Sequence, residues 1–142
     1  MHELNIGDFC KDAARIILSL YQRFPQKSTL YIEDISGPDN PDDFGLHSSR
    51  HMACFSTVVW LAEEGWLRYG DNIQQEAFDE VVLSQKAFVY FAGVDTLDNA
   101  SNSTPDGTGT QTRIHKLEQI LKNKSSDQLC AYIIEQMQAF LP

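Results

Sequence analysis

Between Phe44 and Phe88 the chain runs as a long amphipathic segment closed by Glu63-Glu64-Gly65-Trp66-Leu67, a polar stretch, and then Val81-Val82-Leu83-Ser84-Gln85-Lys86. Gly65 stands where a helix needs a left-handed C-terminal cap, and Trp66 is the apolar residue that such a cap folds back onto the helix. Trp66 to Tyr69 reads as a strand and Val81 to Leu83 as a second that can pair with it antiparallel, leaving Gly70 to Asp79 as a long hairpin tip. Ser84 is placed to cap a helix through Gln85 to Ala92. This order of helix, glycine stop, strand, loop, strand and capped helix narrows the architecture more than any other part of the sequence.

Upstream, Phe9, Ala13, Ile16, Ile17, Leu20 and Phe24 follow the three-and-four spacing of one buried helical stripe, with Asp8 as its expected cap and Pro25 as its stop. Thr29-Leu30-Tyr31-Ile32 reads as a short strand, and Glu33-Asp34-Ile35-Ser36 as an abbreviated helical turn. Gly37-Pro38-Asp39-Asn40-Pro41 then breaks the chain. The next helix is expected to begin near Asp42 or Asp43, whose carboxylates suit the positive helix end. Met52, Phe55, Val59 and Ala62 would form its core side, and His47, Arg50, Cys54, Thr57 and Glu64 the other side. Trp60 lies away from that core side, to be packed under the first helix or exposed as a contact residue, with burial the expected fate.

Gly93 to Thr110 changes composition to a run with little to bury, which reads as a linker. Beyond it Ile114, Leu117 and Leu121 mark one amphipathic helix, and Ser125 with Gln128 has capping-box spacing for another. The expected organisation is residues 1–92 as one small α+β, mostly helical domain, 93–111 as a flexible linker, and 112–142 as a C-terminal helical pair. The last helix carries an apolar stripe of Leu129, Ile133, Ile134, Met137, Phe140 and Leu141, to pack on the domain or to pair with a second copy.

The 142 residues are 42% hydrophobic and 22% charged, the balance of an ordinary folded domain. Three widely spaced cysteines and a start without a basic or long apolar run lead to the expectation of a reducing cytoplasm, so the sequon-like Asn99, Asn102 and Asn123 carry no weight. No apolar run reaches the roughly 20 residues that span a bilayer. The formal net charge is -9, which repels nucleic-acid phosphate at long range.

Taken together, the helix ending Glu63-Glu64-Gly65-Trp66-Leu67-Arg68-Tyr69, the loop, and the Val81-Val82-Leu83-Ser84-Gln85-Lys86-Ala87-Phe88 segment resemble the winged-helix domains of bacterial regulators over about residues 8–92. In those domains a glycine closes the third helix, matched here by Gly65, and a polar-capped turn follows the last strand, matched by Leu83 to Ala87. The resemblance implies a third helix that enters the DNA major groove and a wing that touches phosphate, which would put His47, Arg50, His51, Cys54 and Thr57 on the reading surface. Of these only Arg50 is permanently cationic, while the wing carries Asp71, Glu76 and Asp79 with neither Lys nor Arg. DNA affinity comes largely from neutralised phosphates.

Other chemistry is thinly signalled. His47 and His51, four apart, are candidate metal ligands, with Cys54, Asp43 or His2 as a third, although two histidines are more often plain polar residues. Cys54 beside His51 evokes a nucleophile and base, but no orienting group or oxyanion donor accompanies them. Cys10 and Cys130 read as small core residues. Asp39, Asp42 and Asp43 lack the spacing of a calcium loop, and Gly107 and Gly109 lack the strand and lysine of a phosphate loop.

The sequence therefore predicts a non-enzymatic regulatory or interaction module without a cofactor, directed at a protein partner or at itself as a homodimer. The contact surface would be His47, Arg50, His51, Cys54, Thr57, Asp71 and Glu76. The alternative is a DNA-binding transcriptional regulator using the Phe44–Gly65 helix, with Lys116, Lys122 and Lys124 of a second subunit supplying the missing charge.

Overall fold

The longest helix, α1 (Leu4–Arg23), buries Cys10, Ala13, Ala14, Ile16, Ile17 and Leu20, each enclosed Ile or Leu contributing about 1.5–3 kcal/mol by leaving water. The computed structural model describes residues 3–94, 111–123 and 125–141. Within them the chain is α+β, with six helices and a small antiparallel sheet. After α1 come β1 (Ser28–Tyr31), α2 (Ile32–Ser36), α3 (Ser49–Glu63), β2 (Leu67–Arg68), β3 (Asn72–Ile73), β4 (Ala77–Leu83), α4 (Gln85–Ala92), α5 (Arg113–Lys122) and α6 (Ser126–Phe140).

Helix α1 begins at Leu4, so Asp8 sits inside it instead of capping it. The apolar stripe needs only a helical backbone, and the first turn extends beyond it with Leu4 82% exposed. The chain leaves the helix at Phe24, just ahead of Pro25, which cannot continue it.

Strand β4 is the centre of the sheet, paired antiparallel with β1 on one edge and with β2 and β3 on the other. Leu67 faces Leu83 and Arg68 faces Val82, the ribbon expected from the sequence. The expected long tip is instead more ribbon: Asn72 faces Phe78 and Ile73 faces Ala77. The turn closes with the Glu76 amide on the Ile73 carbonyl at 2.9 Å. Its central residues, Gln74 and Gln75, have φ of 52° and 63°, the left-handed pair that a tight two-residue hairpin demands. Ala77 and Phe78, one on each face of the strand, are buried and extend β4 four residues further than the Val81–Leu83 reading.

Gly65 ends α3 at φ 86°, with the Trp66 amide on the Leu61 carbonyl at 2.8 Å and the Gly65 amide on Ala62 at 3.1 Å. These two bonds satisfy carbonyls that the helix end would leave orphaned. The helix itself starts at Ser49, later than Asp42 or Asp43, because Ser48 supplies the cap by accepting the His51 amide at 3.2 Å. Asp42 instead folds the preceding loop, its carboxylate accepting the amides of Phe44 and Leu46 at 2.9 Å each.

The buried side of α3 also differs from the expected one. His51, Cys54, Thr57, Val58 and Leu61 are buried, whereas Met52, Phe55, Val59 and Ala62 are only partly covered. Apolar residues surround most of this helix, so periodicity alone does not choose its inward side. The side that turns inward is the one where the His51 Nε2 and the Thr57 hydroxyl reach carbonyl acceptors. Trp60 meets Phe9 edge-on at 5.3 Å yet stays 40% exposed, so it is not enclosed beneath α1.

Residues 95–110, most of the expected linker, lie outside those described. On its two sides Val94 bridges Thr112, and α5 and α6 join the same core through Ile114, Leu117, Leu129, Cys130 and Ile133. Phe140 stacks on Trp66 with ring centroids 3.7 Å apart. Of the two fates expected for the last helix's stripe, packing on the domain takes up most of it: Leu129, Ile133 and Phe140 are buried, Ile134 and Met137 partly covered, and Leu141 exposed. Among the described residues no helix is long and apolar enough to cross a membrane.

Candidate functional site

Three segments meet where α3 begins. Asp39 and His47 come from the loop between α2 and α3, His51 from the first turn of α3, and the Gln75 carbonyl from the hairpin turn. The rings of His47 and His51 stack with centroids 3.9 Å apart and planes inclined by 9°. His47 lies just ahead of the helix cap, yet the four-residue spacing still brings the two rings together.

Asp39 Oδ2 is 2.8 Å from His47 Nδ1 and 3.6 Å from His51 Nδ1. Its carboxylate also accepts the Ser48 amide at 3.4 Å. The hydrogen bond from Ser48, ahead of that from His47, holds the Asp39 carboxyl below the ordinary aspartate range, against the opposing effect of its burial. Its side chain is 5% exposed in the folded chain.

His51 is 1% exposed, and its Nε2 lies 2.8 Å from the Gln75 carbonyl oxygen. A carbonyl only accepts, so Nε2 carries a proton and donates; in the singly protonated ring Nδ1 is then a lone pair. That buried Nδ1 has no hydrogen-bond partner. Beside it opens a cavity of about 350 Å³ lined by Tyr31, Glu33, Asp34, Pro41, His47, His51 and Glu76.

The other residues expected on the contact surface disperse. Arg50 turns toward α1 and grips Asp12 with both arms of its guanidinium, Nη1 to Oδ2 at 2.7 Å, with Asp8 3.9 Å from Nε. Asp12 is wholly buried, and its hydrogen bonds hold the Arg50 guanidinium more firmly protonated than usual. Cys54 is fully enclosed, and burial pushes its thiol up to about 12, the opposite of an activated nucleophile. Thr57 is buried with its hydroxyl donating to the Ala53 carbonyl at 3.0 Å. Asp71 and Glu76 remain exposed. Of the seven, the site keeps His47, His51 and Glu76.

Of the third ligands weighed for the histidines, two lie away from the cluster and one is outside the described residues. Cys54 faces the core, Asp43 is exposed outside the cluster, and His2 lies outside the described residues. The residue that reaches both rings is Asp39. Its place in a Pro- and Gly-rich break has no periodicity to reveal it. Asp12 did carry a signal, since a carboxylate three residues after Phe9 interrupts the buried stripe of α1. No protein-family model matches the chain, and no curated protein or solved structure matches it either.

Proposed function

We propose that this chain is a non-enzymatic regulatory module of the winged-helix type, directed at a protein partner that presents a basic segment. The order of α1, β1, α2, α3 and the β2–β3–β4 ribbon supports the kinship. The observation that carries the choice of partner is the cavity beside His47 and His51, which gathers Glu33, Asp34 and Glu76 with neither Lys nor Arg among its lining residues. Acidic complementarity of this kind steers and selects basic partners.

The reading as a DNA-binding regulator has less support. Reading DNA through α3 would require side chains that here are buried or committed to Asp12, and a ribbon that carries carboxylates where phosphates would lie. The test is fluorescence anisotropy of a labelled Lys- and Arg-rich peptide against the full chain at low ionic strength, about 50 mM salt, beside a gel shift with random duplex. Peptide binding should weaken strongly in the Glu33→Gln, Asp34→Asn, Glu76→Gln variant. It should persist in Glu118→Gln, Asp127→Asn, Glu135→Gln, which removes equal charge elsewhere. Equal loss in both variants would reduce the effect to net charge, and a salt-sensitive duplex shift at micromolar protein would favour the DNA reading.

A further inference from the structure

We propose that Asp39, His47 and His51 bind one divalent transition-metal ion, with zinc the best match to the donors. The candidate ligand atoms, one from each residue, all lie within 4.8 Å of one another. Ligands held at about 2.0–2.1 Å from a tetrahedral zinc sit roughly 3.3 Å apart. The separations from Asp39 Oδ2, 2.8 Å to His47 Nδ1 and 3.6 Å to His51 Nδ1, lie on either side of that value.

The buried ring of His51 points most directly to a ligand. Its Nδ1, 3.6 Å from the Asp39 carboxylate, is sealed from water without a hydrogen-bond partner, a costly state that a bound cation relieves. Its Nε2–H meanwhile donates to the Gln75 carbonyl at 2.8 Å. Metal-bound histidines commonly use this outer hydrogen bond to fix the tautomer and aim the ring. Two imidazole nitrogens and a carboxylate oxygen form a borderline donor set that suits zinc and its neighbours and is poor for magnesium or calcium, which prefer oxygen.

Charge and access agree with this assignment. Glu33, Asp34 and Glu76 line the adjoining cavity and lower the potential for an entering dication. The three protein donors leave a fourth position for water or a partner's side chain on the side of the cavity that both histidines line. The ion would join the loop carrying Asp39 and His47 to α3, and through Gln75 to the hairpin.

The test is isothermal titration of the chelator-stripped full chain with Zn²⁺ alone, alongside Co²⁺ titration followed by its visible absorption bands. One ion per chain is expected, with affinity falling at least tenfold in His47→Ala and in Asp39→Asn, and unchanged in the exposed His115→Ala. Both cluster variants alter partly covered residues of a loop, and circular dichroism verifies that they fold, whereas His51 is enclosed and is left intact. Lack of stoichiometric Zn²⁺ binding by the parent chain, or binding indifferent to both variants, overturns the site. The peptide experiment, run with chelator added, reads Glu33, Asp34 and Glu76 without metal, so its outcome is separable from this one.

Discussion

The hydroxyl of Ser84 donates to the carbonyl of Gly65 at 2.7 Å, tying the glycine that stops α3 to the residue that starts α4. The same oxygen accepts the Ala87 amide at 3.1 Å, and the Ser84 amide reaches the Trp66 carbonyl at 3.0 Å. One side chain therefore serves two helix ends.

Replacing Ser84 with Ala removes both side-chain bonds and should cost about 1–2 kcal/mol, the upper part of the range for a lost N-cap. Ser84→Thr keeps the hydroxyl and should recover most of it. Urea denaturation of the two variants checks the difference.

Arg50 is the partner that makes the buried Asp12 tolerable. Arg50→Ala should lower stability by about 3–5 kcal/mol, because it leaves a charge sealed in the core. The double change Arg50→Met, Asp12→Leu should restore much of that loss, since it removes the stranded carboxylate too. A double variant no more stable than Arg50→Ala in guanidinium denaturation would show that the loss comes from the missing Arg50 stem and not from the carboxylate.

Burial pushes the Cys54 thiol from its ordinary value of 9.0 up to about 12. A raised folded value means that the stability contribution is complete below pH 9 and drains away as the pH climbs toward 12, because there the unfolded chain has lost a proton that the folded chain keeps. Denaturation midpoints should fall above pH 9, and less steeply in Cys54→Ala. Burial raises Cys10 as well, so the slope should shrink without vanishing. Identical slopes would contradict the assignment.

Phe140 and Leu141 are neighbours with opposite surroundings, one stacked on Trp66 and the other 69% exposed. Phe140→Ala should cost about 3 kcal/mol, the lower end for a buried aromatic, because the residue closes the end of the helix. Leu141→Ala should change stability by less than about 0.5 kcal/mol. Light scattering should give a single-chain mass for the parent. A doubled mass that Leu141→Ala halves would return this stripe to self-association.

What could be read in advance follows from how local the governing interactions are. Gly65, Ser84 and the alternation from Val81 to Leu83 act within a few residues, so the helix stop, the cap and the ribbon core were legible. The stripe of α1 was equally plain, though its first turn was not, since nothing at Asp8 obliges a helix to begin there. Where Arg50 and His51 of α3 turn depends on Asp12 and on the Gln75 carbonyl, groups 38 and 24 residues away in the chain, and no pattern internal to α3 reports them. The two histidines were visible as a pair, but Asp39 joins them only once the loop has folded over the start of α3. The turn at Gln74–Gln75 carries no local mark, because neither residue is the glycine or asparagine that normally signals left-handed backbone.

The single interior shared by both halves of the chain has a further consequence. Were the backbone interrupted between Val94 and Gln111, the described elements on either side would still share one hydrophobic centre, because α6 lies against α1 and Phe140 rests on Trp66. The nicked molecule should elute as one particle under native conditions and come apart into two fragments in denaturant.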